Sequence, residues 1–290
     1  MRRYRLIDFI WIFSLLLSAS ASPAFAFSFD EIIEKGEISI AVYRDYFPFS
    51  YRKDGRLMGV DVDVAHYIAK KMEVRLNLIE QTADENVEDD LRNAIWKGHY
   101  LGGQVADVML HVPYDRDFSL KNNQVFFFGP YYQERVGLAW NPEIVGEQAT
   151  IAVFRFDKIG VELDTIADFY LVSALGGALL KNVVHFPNPR AVTDALIGGE
   201  IAGAAGPLTQ LEAGLKEHRE AFRTAMVPMR GLKSHWLLGA AVKHTYRQLG
   251  YFVGDILSQM VGDGIMKEIF NNHGIKYNPP PDELLGSTAQ

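Results

Sequence analysis

Between Gly36 and Met72 the chain reads GEISIAVYRDYFPFSYRKDGRLMGVDVDVAHYIAKKM, and this run specifies a strand, an aromatic loop, a turn and a helix in succession. Ile38, Ile40 and Val42 alternate after Gly36, the period of a strand. Tyr43 to Tyr51 then places Tyr43, Tyr46, Phe47, Phe49 and Tyr51 around Pro48, and a proline that lacks an N–H stops a central strand there. Lys53-Asp54-Gly55 is a turn signal. Val64, Ile68 and Met72 have helical spacing, and Asp61 stands just ahead of them, where a carboxylate commonly caps free helix amides. A strand that feeds a helix through such a loop brings side chains to the carboxyl edge of a sheet, where open α/β folds bind ligands.

Strand-like and helix-like segments alternate through the rest of the chain, which predicts an α/β fold. Val74 to Ile79 reads as a second strand, Leu91 to Trp96 as a helix behind the acidic run Asp84 to Asp90, and Val105 to Val112 as a buried strand. A charge run of this kind is usually a solvated face. Phe126 to Tyr132 and Val136 to Trp140 read as separate segments at a crossover, and Thr150 to Phe154 as the strand that opens a second unit. Pro189 to Gly199 reads as a helix, Ile201 to Ala205 as a small-residue strand, and Tyr246 to Phe270 as closing helices.

The amino terminus has the layout of a secretory signal. Arg2, Arg3 and Arg5 precede an apolar core from Phe9 to Leu17, and Ala24-Phe25-Ala26 is an A-x-A cleavage site, so residues 1–26 are expected to be removed on export to the periplasm. Removal takes three Arg and one Asp from 29 basic and 36 acidic residues, a formal charge of −9. That balance favours neither nucleic acid nor an anionic lipid surface. The absence of cysteine means no disulfide and no lipidated thiol, and no segment beyond the leader is apolar enough to span a bilayer.

FPFSY at 47–51 and GVDVD at 59–63 resemble the first βα unit of the bacterial extracellular solute-binding proteins, family 3. FFFGPYY at 126–132 is similar to the element at which chains of that family leave their first lobe. The resemblance implies a type II periplasmic binding protein, with a ligand cleft between two lobes and a two-strand hinge. Its expected divisions are lobe 1 at 27–134 plus 231–290 and lobe 2 at 135–230, as a monomer. DVMLHVP at 107–113, Leu91-Arg92-Asn93, KIGV at 158–161, and GEI at 199–201 with Gly206-Pro207 resemble the MxaJ-like branch, whose members accompany quinoprotein (PQQ) alcohol dehydrogenases. That implies binding of a small ligand, of the dehydrogenase or of its cytochrome. The alternative is the receptor of an ABC permease for an amino acid or small carboxylate. A third reading is an enzyme like cyclohexadienyl dehydratase, but no motif for an acid–base pair stands out and no catalytic residue is expected.

Two departures from the receptor pattern bear on the ligand. Arg116 is the one candidate for the arginine that grips an α-carboxylate, and it stands further from FFFGPYY than the family pattern has it. Ala202 occupies the place of an expected aspartate. The candidate ligand-binding residues are Tyr46, Phe47, Phe49, Asp61, His111, Arg116, Arg155 and Asp157. For each a bland role competes: core packing for the aromatics and especially Phe49, a helix cap for Asp61, hydrogen-bonded packing for His111, pairing with Asp115 or Asp117 for Arg116, and plain surface for Arg155 and Asp157. The eight histidines show no metal-binding spacing, and neither metal nor cofactor is expected. The loop Trp96 to Gly103 looks like an insertion at the cleft mouth or a partner surface.

Overall fold

A computed structural model describes residues 29–229 and 231–285. The expected leader, 1–26, lies outside the described residues. The strands are β1 (Glu37–Tyr43), β2 (Tyr51–Lys53), β3 (Arg56–Met58), β4 (Arg75–Gln81), β5 (Val108–Pro113), β6 (Val125–Trp140), β7 (Ile159–Glu162), β8 (Val183–Phe186), β9 (Gly203–Pro207), β10 (Arg223–Met226) and β11 (His235–Lys243). They run in the order β4-β1-β5-β11-β6-β9-β7-β8, with β10 also on β6 and β2-β3 a separate hairpin. β1 pairs in parallel with β4 and β5, and β7 in parallel with β8 and β9. β11 runs antiparallel to β5 and β6.

β6 belongs to both groups of strands. Its Val125–Arg135 portion pairs with β11, and Val136–Trp140 pairs with β9 on one edge and β10 on the other. The chain therefore passes from one core to the other along a continuous strand. Gly129 and Pro130 lie where the β6–β11 register shifts, so the ladder absorbs a proline that cannot donate to it. This is why the two segments read from the sequence are one strand.

Both faces of β1 are covered. Ile38, Ile40 and Val42 pack with Val64, Ile68, Phe128 and Leu257 on one side, while Ala41 packs with Leu91, Met109 and Phe127 on the other. A strand buried on two faces must be apolar at nearly every position, as IAV is. The second group has its own pair of clusters, one around Leu138, Phe154, Ile159 and Leu171 and one around Val192, Leu196, Ala204 and Leu211.

The helix Val60–Lys71 starts without a side-chain cap. Instead the Val60 and Asp61 amides donate to the Pro48 and Phe49 carbonyls at 3.1 and 2.9 Å, so the aromatic loop's backbone satisfies the helix start. The Asp61 carboxylate is thereby free to turn inward, contrary to the capping role read from sequence. The acidic run also differs from expectation: after a short helix Val87–Leu91 the chain continues as a π turn at Arg92–Trp96, and Asp90 is only 3% exposed. Thr150 to Phe154 is no strand; Ile151–Arg155 is a 3-10 turn. The place beside β9 is taken by β7, and Phe154 fills the core against Gly203, a contact of tertiary packing that outweighs the β propensity of IAVF.

Candidate functional site

The carboxyl ends of β1 and β5 and the loop that follows β1 converge on one cluster of rings. Tyr46 stacks on Phe49 with centroids 5.7 Å apart, and His111 meets Tyr46 at 4.9 Å and Phe49 at 4.1 Å edge-on. His111 adopts φ 61, a backbone state few non-glycine residues take. Its amide donates to the Tyr131 hydroxyl at 3.1 Å, and that hydroxyl donates to Asp61 Oδ1 at 3.0 Å. His111 Nδ1 stands 3.1 Å from Asp61 Oδ2, within ion-pair reach but not aligned as a hydrogen bond. Asp61 is wholly buried, and burial together with the Asp61 charge drives the Tyr131 phenol far above its usual range.

A second buried carboxylate lies at the junction of the two strand groups. Glu134 on β6 accepts the Thr209 hydroxyl, from the start of the helix Leu208–Gly214, and the Arg135 amide at 2.9 Å. Burial raises its pKa to about 7, while those hydrogen bonds and the nearby His111 oppose the rise. Tyr46 is pushed up first by burial and then by the negative charges of Glu134, Asp61 and Glu162. Glu162 ends β7, so Tyr46 lies where the two groups of strands face one another.

In front of the rings is a cavity of about 340 Å³ lined by Tyr43, Tyr46, Asp84, Asp90, His111 and Trp236, among others. Asp90 is fixed there by the Tyr43 hydroxyl at 2.8 Å and the Asp84 amide at 2.7 Å, and burial raises its pKa. On the other strand group a smaller recess is lined by Glu162, Thr165, Gly206, Pro207 and Gln210, again at the carboxyl end of β7. A larger open depression of about 610 Å³ near Phe169, Tyr170 and Leu232 gathers no charged group among the described residues.

Of the residues singled out in the sequence, Tyr46, Phe49, Asp61 and His111 come together, with Phe49 wholly buried. Phe47 stands at the edge, where the Arg190 guanidinium from the helix Pro189–Ile197 lies 4.5 Å from its ring and 5.0 Å from Tyr51. Arg116 is exposed at the start of a short helix, and its neighbour Asp115 is engaged instead by the Phe118 amide and Lys233. Arg155 and Asp157 do not follow a strand: they precede β7, at the opposite end from Glu162. The resemblance placed them one element too early because IAVFRF read as the strand.

Tyr43, Asp90, Tyr131, Glu134, Glu162 and Trp236 were not anticipated. Glu134 carried a signal, an acidic residue in a run of buried aromatics directly after FFFGPYY. Asp90 was hidden inside a charge run. Among the described residues no group of three or more His, Asp or Glu is placed to hold a metal ion, and no helix is long and apolar enough to cross a membrane.

Residues 38–95 match the family described as bacterial extracellular solute-binding proteins, family 3. No curated protein sequence matches the chain significantly. Among solved structures, an ancestral cationic amino acid solute-binding protein is 19% identical with a TM-score of 0.66, the match covering 84% of this chain and 98% of the other. A polar amino acid ABC uptake transporter substrate-binding protein from Streptococcus thermophilus is 16% identical with a TM-score of 0.65, over 89% of this chain and 93% of the other. The solute receptor for L-cysteine of Neisseria gonorrhoeae is 22% identical with a TM-score of 0.52, over 85% and 93%. The fold is thus the mixed α/β, two-lobed architecture of periplasmic amino acid binding proteins.

Proposed function

We propose that this chain is a non-catalytic receptor of the periplasm, which takes a small solute into the cleft between its lobes and presents it to an ABC permease. The lobes are 27–134 plus 231–290 and 135–230, with β6 and the return into β11 as the hinge. One observation carries the reading: Tyr46 and His111, with buried Asp61 against His111, line a cavity at the carboxyl ends of parallel strands, and the charges of Glu134 on β6 and of Glu162 at the end of β7 act on Tyr46 there. That is where open α/β folds bind ligands. A solute touching both lobes binds the closed form more tightly and shifts the population toward it. The match at 38–95 and the solute receptors of like fold support the same reading.

The test is thermal unfolding of the purified protein over a panel of amino acids, amines, organic acids and sugars. A ligand held by the native state alone raises the midpoint by mass action, equivalent to roughly 2.7 kcal/mol at a hundred times Kd. A midpoint unmoved by every compound argues against a receptor.

A second reading, service to a quinoprotein dehydrogenase as in the MxaJ-like branch, has one structural observation in its favour. Tyr100 and Leu101 in the Trp96–Gly103 loop are 83% and 77% exposed, an apolar pair at a position suited to a protein partner. Retention of a periplasmic dehydrogenase or cytochrome by the immobilised protein, lost on Tyr100→Ser with Leu101→Ser, would favour it over transport. Turnover of prephenate or arogenate by the same preparation would instead bring back the dehydratase-like enzyme.

A further inference from the structure

We propose that the cleft selects an organic cation without a carboxylate, an ammonium carried on an apolar or aromatic body, and that Glu162 is its counter-ion. This rests on the receptor reading of the same cleft.

The argument begins with the charges that line the site. The carboxylates around the main cavity are Asp84, Glu85 and Asp90, and a recess at the end of β7 adds Glu162. Asp61 and Glu134 stand behind them. Among the described residues neither lining contains a lysine or an arginine. A zwitterionic amino acid brings a carboxylate that must be desolvated, and a buried anion without charge-assisted donors is costly. Three cations on adjoining segments are engaged elsewhere. Lys233 pairs with Asp115 at 3.0 Å, Arg92 with Asp89 and Asn93, and Arg190 covers Phe47 and Tyr51. Any positive charge on His111 is set against Asp61, 3.1 Å from its Nδ1.

The walls favour a cation for a second, independent reason. Tyr43, Tyr46 and Trp236 line the cavity, and the faces of such rings attract an ammonium, more strongly where water is excluded. Two of the carboxylates differ in what they already hold. Asp90 has both oxygens occupied, by Tyr43 and by the Asp84 amide. The Glu162 carboxylate meets no hydrogen-bond donor and no cation among the described residues, although it is half-buried. A bound ammonium supplies the partner this group lacks, and it would touch both lobes at once, since Glu162 and Tyr46 come from opposite sides.

The experiment is calorimetric titration of the purified protein with four matched pairs, each an amino acid and its decarboxylated amine: L-arginine and agmatine, L-lysine and cadaverine, L-histidine and histamine, L-tyrosine and tyramine. The expected result is that an amine binds at least tenfold more tightly than its amino acid, and that Glu162→Gln weakens that amine at least tenfold while the unfolding midpoint of the free protein does not fall. Glu162→Asp should retain the preference. Equal or tighter binding of the amino acid, or binding of organic acids alone, overturns the inference and leaves the receptor standing. Undiminished amine binding by Glu162→Gln overturns the assignment of the counter-ion. Failure of every compound in this panel and in the wider thermal panel removes the receptor reading and the inference together.

Discussion

The Thr209 hydroxyl donates to the Glu134 carboxylate, joining the first turn of the helix Leu208–Gly214 to the middle of β6, the strand that runs from one core to the other. Only 3% of Glu134 is exposed, and burial raises its pKa to about 7 from an ordinary value of 4.5. A raised carboxylate costs the folded state nothing below pH 4.5, where both states are protonated. The cost grows between pH 4.5 and 7 and is complete above 7, where the folded state must hold a buried charge. Glu134→Gln removes that charge, keeps an oxygen for the Arg135 amide and lets its NH2 donate to the Thr209 hydroxyl in place of the carboxylate contact. The variant should therefore match the wild type at pH 4.5 and gain on it up to pH 8, by on the order of 3 kcal/mol. Urea unfolding across that range checks the slope; parallel curves would show that Glu134 does not titrate there.

Gly59 has φ 138, and a Cβ placed on it would lie 2.2 Å from the Phe49 carbonyl oxygen and 2.8 Å from that of Pro48. Those two carbonyls receive the first amides of the helix Val60–Lys71, so the close approach is what lets the loop serve as the helix cap. Gly59→Ala must push the loop and the helix apart, and because the obstacle is backbone no side-chain rotation relieves it. A loss of about 3 kcal/mol or more is expected. Chemical denaturation measures it, and a loss under 1 kcal/mol would mean the docking is looser than described.

What was legible in the sequence was local. Gly36 to Met72 folds as its order of residues reads: β1, the aromatic loop, the β2-β3 hairpin around Asp54-Gly55, and the helix, all set by neighbours a few positions apart. The site was not legible in this way. Tyr131 meets Asp61 across 70 positions and Glu134 meets Thr209 across 75, and neither pairing leaves a local pattern. Asp61 had a plausible local partner in its own helix amides, but tertiary packing supplied those amides with the carbonyls of Pro48 and Phe49 and sent the carboxylate inward. IAVFRF failed for the same kind of reason: its composition suits a strand, but Phe154 is taken into the core against Gly203 and the place beside β9 goes to β7.

Tyr131→Phe removes a hydroxyl that serves two buried groups at once, the His111 amide and Asp61 Oδ1. Each loses its hydrogen bond to that hydroxyl, and the deletion leaves almost no cavity, so the penalty is electrostatic. Leaving such groups unsatisfied costs roughly 1–3 kcal/mol apiece. The expected loss is in that range or above it, measured by urea unfolding at pH 7. Asp61→Asn in the Tyr131→Phe background should recover part of it, because the neutral amide is cheaper to bury. No recovery would place the cost in packing.

At Arg190 the helix Pro189–Ile197, which follows β8, reaches the aromatic loop that follows β1, with its guanidinium over Phe47 and Tyr51. An exposed contact of this type contributes about 0.5–1 kcal/mol, which is a factor of roughly 2–5 in an open–closed equilibrium. Arg190→Ala removes it without touching either core, so global stability should hold while the ligand-free population shifts toward open. Small-angle X-ray scattering should then report a larger radius of gyration for the variant, and saturating ligand should abolish the difference. Superimposable ligand-free profiles would show that the Arg190 contact does not hold the lobes together.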